Sequence, residues 1–114
     1  MTDQKEFPLE INVHQVKQLR DGGEEFLLLD CREPSEYEAV KIEGSKHLPM
    51  GETPSRLEEL EAFRNGRIVV HCHHGGRSMK VTSFLRDQGF AGAQNMEGGI
   101  DQWSLEIDPS LPRY

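Results

Sequence analysis

Two short apolar runs, Phe26 to Leu29 and Ile68 to Val70, constrain the fold more than any other feature of this chain. Neither run alternates. A strand with one wet face shows apolar and polar residues in turn, whereas an unbroken run is buried on both faces. Each run closes on a polar residue, Asp30 or His71, and helical patterns follow. Doubly buried strands alternating with helices predict an α/β fold: a central parallel sheet flanked by helices on both faces.

The remaining segments fit that alternation. Asn12 and Gln15 form a capping box, and Val13, Val16 and Leu19 follow at helical spacing until Asp21, Gly22 and Gly23. Pro34 opens a short helix through Val40. Lys46 to Leu48 reads as a short strand. Thr53 and Pro54 start a helix with Leu57, Leu60 and Phe63 on one face, ended by Asn65 and Gly66. Arg67 to His71 is the second strong strand. Ser78 to Gln88 is a helix with Val81, Phe84 and Leu85 inward. A strand at Gln94 to Met96, the pair Gly98 and Gly99, and a brief helix holding Ile100 and Trp103 complete the pattern. A chain of 114 residues suits one domain, residues 1–114, with its core at about 11–103 and an irregular tail over 104–114.

The net charge of −7 disfavours nucleic acid and anionic membranes as partners. The apolar runs fall far short of a membrane span. No signal or transit pattern is visible in the polar first twenty residues, so the cytoplasm is the expected location. The two cysteines, Cys31 and Cys72, form no CxxC motif and are expected as thiols.

Cys72 stands where chemistry is expected. Ligands of open α/β sheets bind beyond the carboxyl ends of the strands. The segment Val70-His71-Cys72-His73-His74-Gly75-Gly76-Arg77-Ser78 runs strand, tight loop, helix. A helix starting at Arg77 or Ser78 aims free N–H groups and partial positive charge at the loop. Gly75 and Gly76 let the backbone curl so that further N–H groups point inward. Arg77 adds a permanent cation. Such a cradle binds an anion and lowers the pKa of a thiol, and the thiolate is the nucleophile.

The loop resembles the rhodanese family active site, a Cys, two variable residues, Gly, one variable residue, Arg, and Ser or Thr. Cys72, Gly75, Arg77 and Ser78 occupy the fixed positions. Asp30-Cys31-Arg32-Glu33 is similar to the family's Asp-Val-Arg-Glu signature, and Gly98-Gly99-Ile100-Asp101-Gln102-Trp103 to its closing Gly-Gly-aliphatic-x-x-Trp. Three places depart from the family pattern: Cys31 for valine, Val40-Lys41-Ile42 for Gly-His-Ile, and Ser45-Lys46-His47 for a small-residue pair. The resemblance implies a sheet of about five strands and a thiosulfate sulfurtransferase that carries sulfur as a Cys72 persulfide. It also implies that Asp30 and Arg32 chiefly order the turn beside the loop, with Arg32 the better placed to touch substrate. Related cysteine phosphatases have five residues between Cys and Arg. Four lie here, and the resemblance implies that this smaller ring suits sulfane sulfur better than phosphate.

On this reading Cys72 and Arg77 are catalytic. His73, His74, Gly75, Gly76, Ser78 and Arg32 bind the anion, and Asp30 supports them. His73 and His74 supply backbone amides and, if protonated, positive charge. Consecutive histidines in a tight loop do not suggest a metal site, and no metal or organic cofactor is expected. The expected donor is a small sulfur-containing anion. The acceptor is a thiol, cyanide or a small sulfur-carrier protein. A low-turnover binding or sulfur-sensing module of the same fold is the main alternative, and a phosphatase or arsenate reductase is a weaker one. Cys31 is read as packing, with a resolving role open.

Overall fold

A computed structural model describes residues 7–114. The first six residues of the polar amino-terminal stretch lie outside that range. The elements, in chain order, are β1 (Glu10–Ile11), α1 (Val13–Asp21), β2 (Leu27–Asp30), α2 (Pro34–Ala39), β3 (Lys46–His47), β4 (Ile68–His71), α3 (Gly76–Asp87), β5 (Ala93–Met96) and α4 (Gly99–Glu106). The five strands form one sheet in the order β1-β5-β4-β2-β3, and every described pairing is parallel.

The unbroken runs form strands of the parallel sheet, as expected, and lie inside its edges. β4 lies between β2 and β5, and all four of its residues are buried. Side chains alternate across the sheet. Leu29, Cys31, Ile68, Val70 and Cys72 face one core with Leu60, Val81, Leu85 and Phe90. Leu28 and Val69 face the other, with Val13, Val16, Ile100 and Trp103. Each fully buried Leu or Val stabilises the fold by about 2 kcal/mol. The capping box at Asn12 is present, with Gln15 N donating to Asn12 Oδ1 at 2.8 Å and Asn12 N to Gln15 Oε1 at 2.9 Å.

The structure departs from the expectations in four places. Leu57, Leu60 and Phe63 belong to a 3-10 helix, Pro54–Phe63, kinked at Arg56, and a shorter 3-10 turn at Met50–Glu52 precedes it. Their strict spacing of three is the 3-10 repeat, in which such residues eclipse on one face. β1 was not anticipated, because two residues carry no pattern. α3 begins at Gly76, earlier than Ser78. α4 continues to Glu106, so the tail is irregular only beyond it.

Two glycines fix the loop after β4 in place. Gly98 and Gly99 both have positive φ, +78° and +59°. A Cβ on Gly99 would lie 2.5 Å from Cys72 O and 2.4 Å from His73 O, so α4 starts flush against the loop. Gly44 also has positive φ, +86°, but faces open space. Gly44→Ala should therefore cost only the backbone penalty of about 1–2 kcal/mol in urea unfolding. Gly99→Ala adds a backbone collision and should cost at least ~3 kcal/mol. Equal losses at the two positions would contradict this packing.

Candidate active site

The ends of β2 and β4 lie side by side, with Asp30 in register with His71 and Cys31 N donating to His71 O at 3.1 Å. Each strand delivers one loop to the same edge. The β4 loop is held from behind by α4: Ile100 N donates to Cys72 O at 2.9 Å and Asp101 N to His73 O at 3.1 Å. With those carbonyls turned back into α4, the loop's N–H groups are free to face the sulfur. Gly75, at φ +115°, caps α3 and donates its N–H to Cys72 Sγ at 3.0 Å. Ser78 Oγ lies 3.4 Å from the same sulfur. No acidic residue occupies the first turn of α3 to compete for its positive end.

Cys72 is 1% exposed. Burial pushes its thiol up, but hydrogen bonds from the Ser78 hydroxyl and from the N–H groups of Ser78, Gly75 and His74 outweigh it and hold the thiol below its ordinary value. The hydroxyl's share depends on its proton pointing at the sulfur. Cys31 is the opposite case. Burial, then the neighbouring Cys72 and Asp30, push its thiol up to about 12. Fully buried and protonated, Cys31 is a packing residue in this arrangement and is not poised as a resolving thiol.

The two arginines stand differently from expectation. Arg77 does not point a free cation at the sulfur. Its Nη1 and Nη2 donate to Glu36 Oε1 at 2.7 Å and Oε2 at 2.9 Å. Arg32, expected to bind the anion, is fully buried, with its guanidinium committed elsewhere. Nε and Nη2 grip the Asp30 carboxylate, Nη2 reaches Val40 O at 2.6 Å, and Nη1 donates to Tyr114 Oη at 2.9 Å. Burial works against the Asp30 carboxylate, but the Arg32 hydrogen bonds hold it below the usual range. Val40, which stands where the family pattern has glycine, meets Arg32 through its backbone carbonyl.

His73 also differs from expectation. Burial, then His74, lowers its pKa, so it adds no charge beside the thiolate at neutral pH. Its ring stacks on Tyr114 and on His74, each with centroids 3.9 Å apart. His73, His74 and Asp101 bring possible metal-ligating atoms within 4.8 Å of one another. The arrangement does not suit a metal centre. A ring nitrogen binds an ion in the ring plane, and the two imidazoles are stacked at 28°. Arg113 already grips Asp101 at 2.8 and 3.2 Å.

Sequence reasoning missed Glu36, Tyr114 and Asn95. Tyr114 Oη donates to Glu36 Oε2 at 2.7 Å while accepting from Arg32, so the tail ties both ion pairs together. Asn95 Oδ1 accepts from Ser78 Oγ at 2.5 Å. Glu36 and Tyr114 carried no local signal, because their partners are distant in sequence.

The rhodanese-like domain family matches residues 12–106, and this chain belongs to that family. The putative sulfurtransferase YtwF of Bacillus subtilis is 35% identical over 100 residues, covering 88% of this chain and 94% of that one. An adenylyltransferase and sulfurtransferase of Zea mays, MOCS3-2, is 33% identical over 109 residues, but the chain spans 91% of itself and only 23% of that larger protein. The crystal structure of a rhodanese-like domain protein from Staphylococcus aureus superposes with a TM-score of 0.76 at 27% identity, covering 94% of this chain and 99% of that one. Sulfurtransferase chemistry is thus supported at the level of the family. Among the described residues no helix is long and apolar enough to cross a membrane.

The Glu36–Arg77 pair generates a pH prediction. Hydrogen bonds from Arg77 pull the Glu36 carboxyl from 4.5 down to about 2, against the opposing effect of burial. A group whose pKa falls on folding stabilises fully above its unfolded value and loses that contribution as pH falls through its folded value. The stability difference between the protein and Glu36→Gln, from urea unfolding, should be constant above about pH 5 and close between about 4.5 and 2. A difference that grows on acidification would contradict the pairing.

Proposed function

We propose that this protein is a sulfurtransferase that moves sulfane sulfur from a donor such as thiosulfate to a thiophilic acceptor through a persulfide on Cys72. One observation carries the reading: Cys72 Sγ lies at the start of α3, with Gly75 N–H aimed at it from 3.0 Å. Inward N–H groups stabilise an anionic sulfur before and after transfer.

In the first half-reaction the Cys72 thiolate attacks the outer sulfur of thiosulfate. A Cys72–sulfur bond forms, the donor's S–S bond breaks, and sulfite leaves with the bonding pair. In the second, cyanide or a thiolate, whether of a small molecule or of a small sulfur-carrier protein, attacks the outer sulfur. That sulfur leaves on the acceptor, and Cys72 departs as the thiolate that began the cycle. Neither step requires a metal or an organic cofactor. Cys72 and Arg77 are the catalytic residues of this scheme. For Arg77 to meet the donor anion, it must exchange Glu36 for it. The loop amides of His73, His74, Gly75, Gly76 and Ser78 hold the charge. Arg32 and Asp30 act from behind, as a buried brace.

Intact mass before and after thiosulfate, and again after cyanide, tests the cycle. The protein should gain one sulfur atom and lose it to cyanide, while Cys72→Ser gains none. No gain with thiosulfate or any other sulfane-sulfur donor would sink the proposal and favour a binding or sensing module.

A further inference from the structure

Ser78 has one proton and three acceptors around it. Its Oγ lies 2.5 Å from Asn95 Oδ1, 3.3 Å from Gly75 O and 3.4 Å from Cys72 Sγ. A hydroxyl donates once and accepts with its lone pairs. When the proton goes to Asn95, Ser78 faces the sulfur with lone pairs alone. In that state it accepts from a thiol and repels a thiolate. When the proton goes to the sulfur, it stabilises the thiolate by a charge-assisted hydrogen bond.

The amide of Asn95 decides between these states, and Glu10 holds the amide. β1 and β5 pair in register at Glu10 and Asn95. Asn95 Nδ2 donates to Glu10 Oε2 at 3.1 Å. A carboxylate only accepts, so the amide must present its NH2 group to Glu10 and its oxygen to Ser78. Turned by half a rotation, the same amide would donate to Ser78 Oγ and release the hydroxyl proton toward Cys72. Asn95 is 2% exposed, so water does not readily replace either partner. Glu10 is exposed on an edge strand, far from Cys72 in sequence.

We infer that Asn95, anchored by Glu10, is a positioning residue that sets whether the Ser78 hydroxyl donates to Cys72 Sγ. The inference rests on the reading of Cys72 as the sulfur-carrying nucleophile. It deepens that reading by assigning control of the thiolate to a residue outside the loop. The same proton bears on both half-reactions, since Cys72 is the attacking thiolate in the first and the departing thiolate in the second.

The test is a titration of the Cys72 thiolate by its ultraviolet absorbance, each variant corrected against its Cys72→Ser counterpart. Asn95→Leu removes the competing acceptor. Glu10→Leu, at an exposed site, frees the amide to turn and keeps the test alive if Asn95→Leu does not fold. Each should move the thiolate midpoint to lower pH, Asn95→Leu by about one unit, the worth of one hydrogen bond to a charged group. In a Ser78→Ala background the Asn95→Leu shift should vanish, and the Glu10→Leu shift should shrink to the part that the lost charge alone causes. Loss of the Glu10 charge alone also lowers the midpoint, but it does so whether or not Ser78 is present. Shifts of equal size in both backgrounds, or no shift in either, would overturn the inference. The titration needs no sulfur donor, so a protein that fails to load sulfur would defeat the proposed function and leave this result standing.

Discussion

The capture of two carbonyls by the start of α4 is the contact on which the site depends. Cys72 O and His73 O accept from Ile100 N and Asp101 N. A peptide has two polar sides, and a loop that spends its carbonyls on one side presents N–H groups on the other. Gly99 is required because α4 must approach the loop closely enough for those bonds, with no room for a Cβ. The central strand then places Cys72 at the focus of the freed N–H groups, and α3 adds the partial charge of its first turn. The cradle is thus made of backbone, shaped by a motif more than twenty residues downstream.

The formal charges near the site are arranged in closed pairs. Asp30 and Arg32 neutralise each other in the interior, Glu36 holds Arg77, and Tyr114 bridges the two pairs through one hydroxyl. Buried pairs cost desolvation that their attraction only partly returns. Their value here is geometric. Arg32 ties the β2 loop to Val40 O and to the tail, and Glu36 orients Arg77 along the rim. A chain with a net charge of −7 attracts a small anion poorly at long range, so in the proposed reaction capture rests on the inward dipoles and on Arg77 exchanging Glu36 for the donor.

Much of this was legible in the sequence, because it is written in local patterns. Unbroken apolar runs marked β2 and β4, a capping box marked α1, and Cys72, Gly75, Arg77 and Ser78 marked the loop at short spacing. Long-range pairing left no such mark. Glu36 and Arg77 are 41 positions apart, and Tyr114 is 82 from Arg32. A two-residue edge strand such as β1 has no periodicity to read, yet it carries Glu10 to Asn95. The resemblance made Arg32 chiefly a residue that orders the turn, which its grip on Asp30 fits, and also better placed than Asp30 to touch substrate, which its full burial disfavours. The aspartate two positions before Arg32 was the clue that it would be consumed internally. The strict triplet of Leu57, Leu60 and Phe63 signalled a 3-10 helix, and an α-helical template absorbed it.

The central claim is that one cysteine of two is built to ionise more readily than an ordinary thiol. The pH dependence of alkylation, resolved for each cysteine by peptide mass spectrometry on the folded protein, tests it directly. Cys72 should react with a midpoint below that of an ordinary thiol, while Cys31, pushed up to about 12, stays unmodified until the protein unfolds. Cys72 titrating at or above an ordinary thiol, or Cys31 reacting first, would contradict the account.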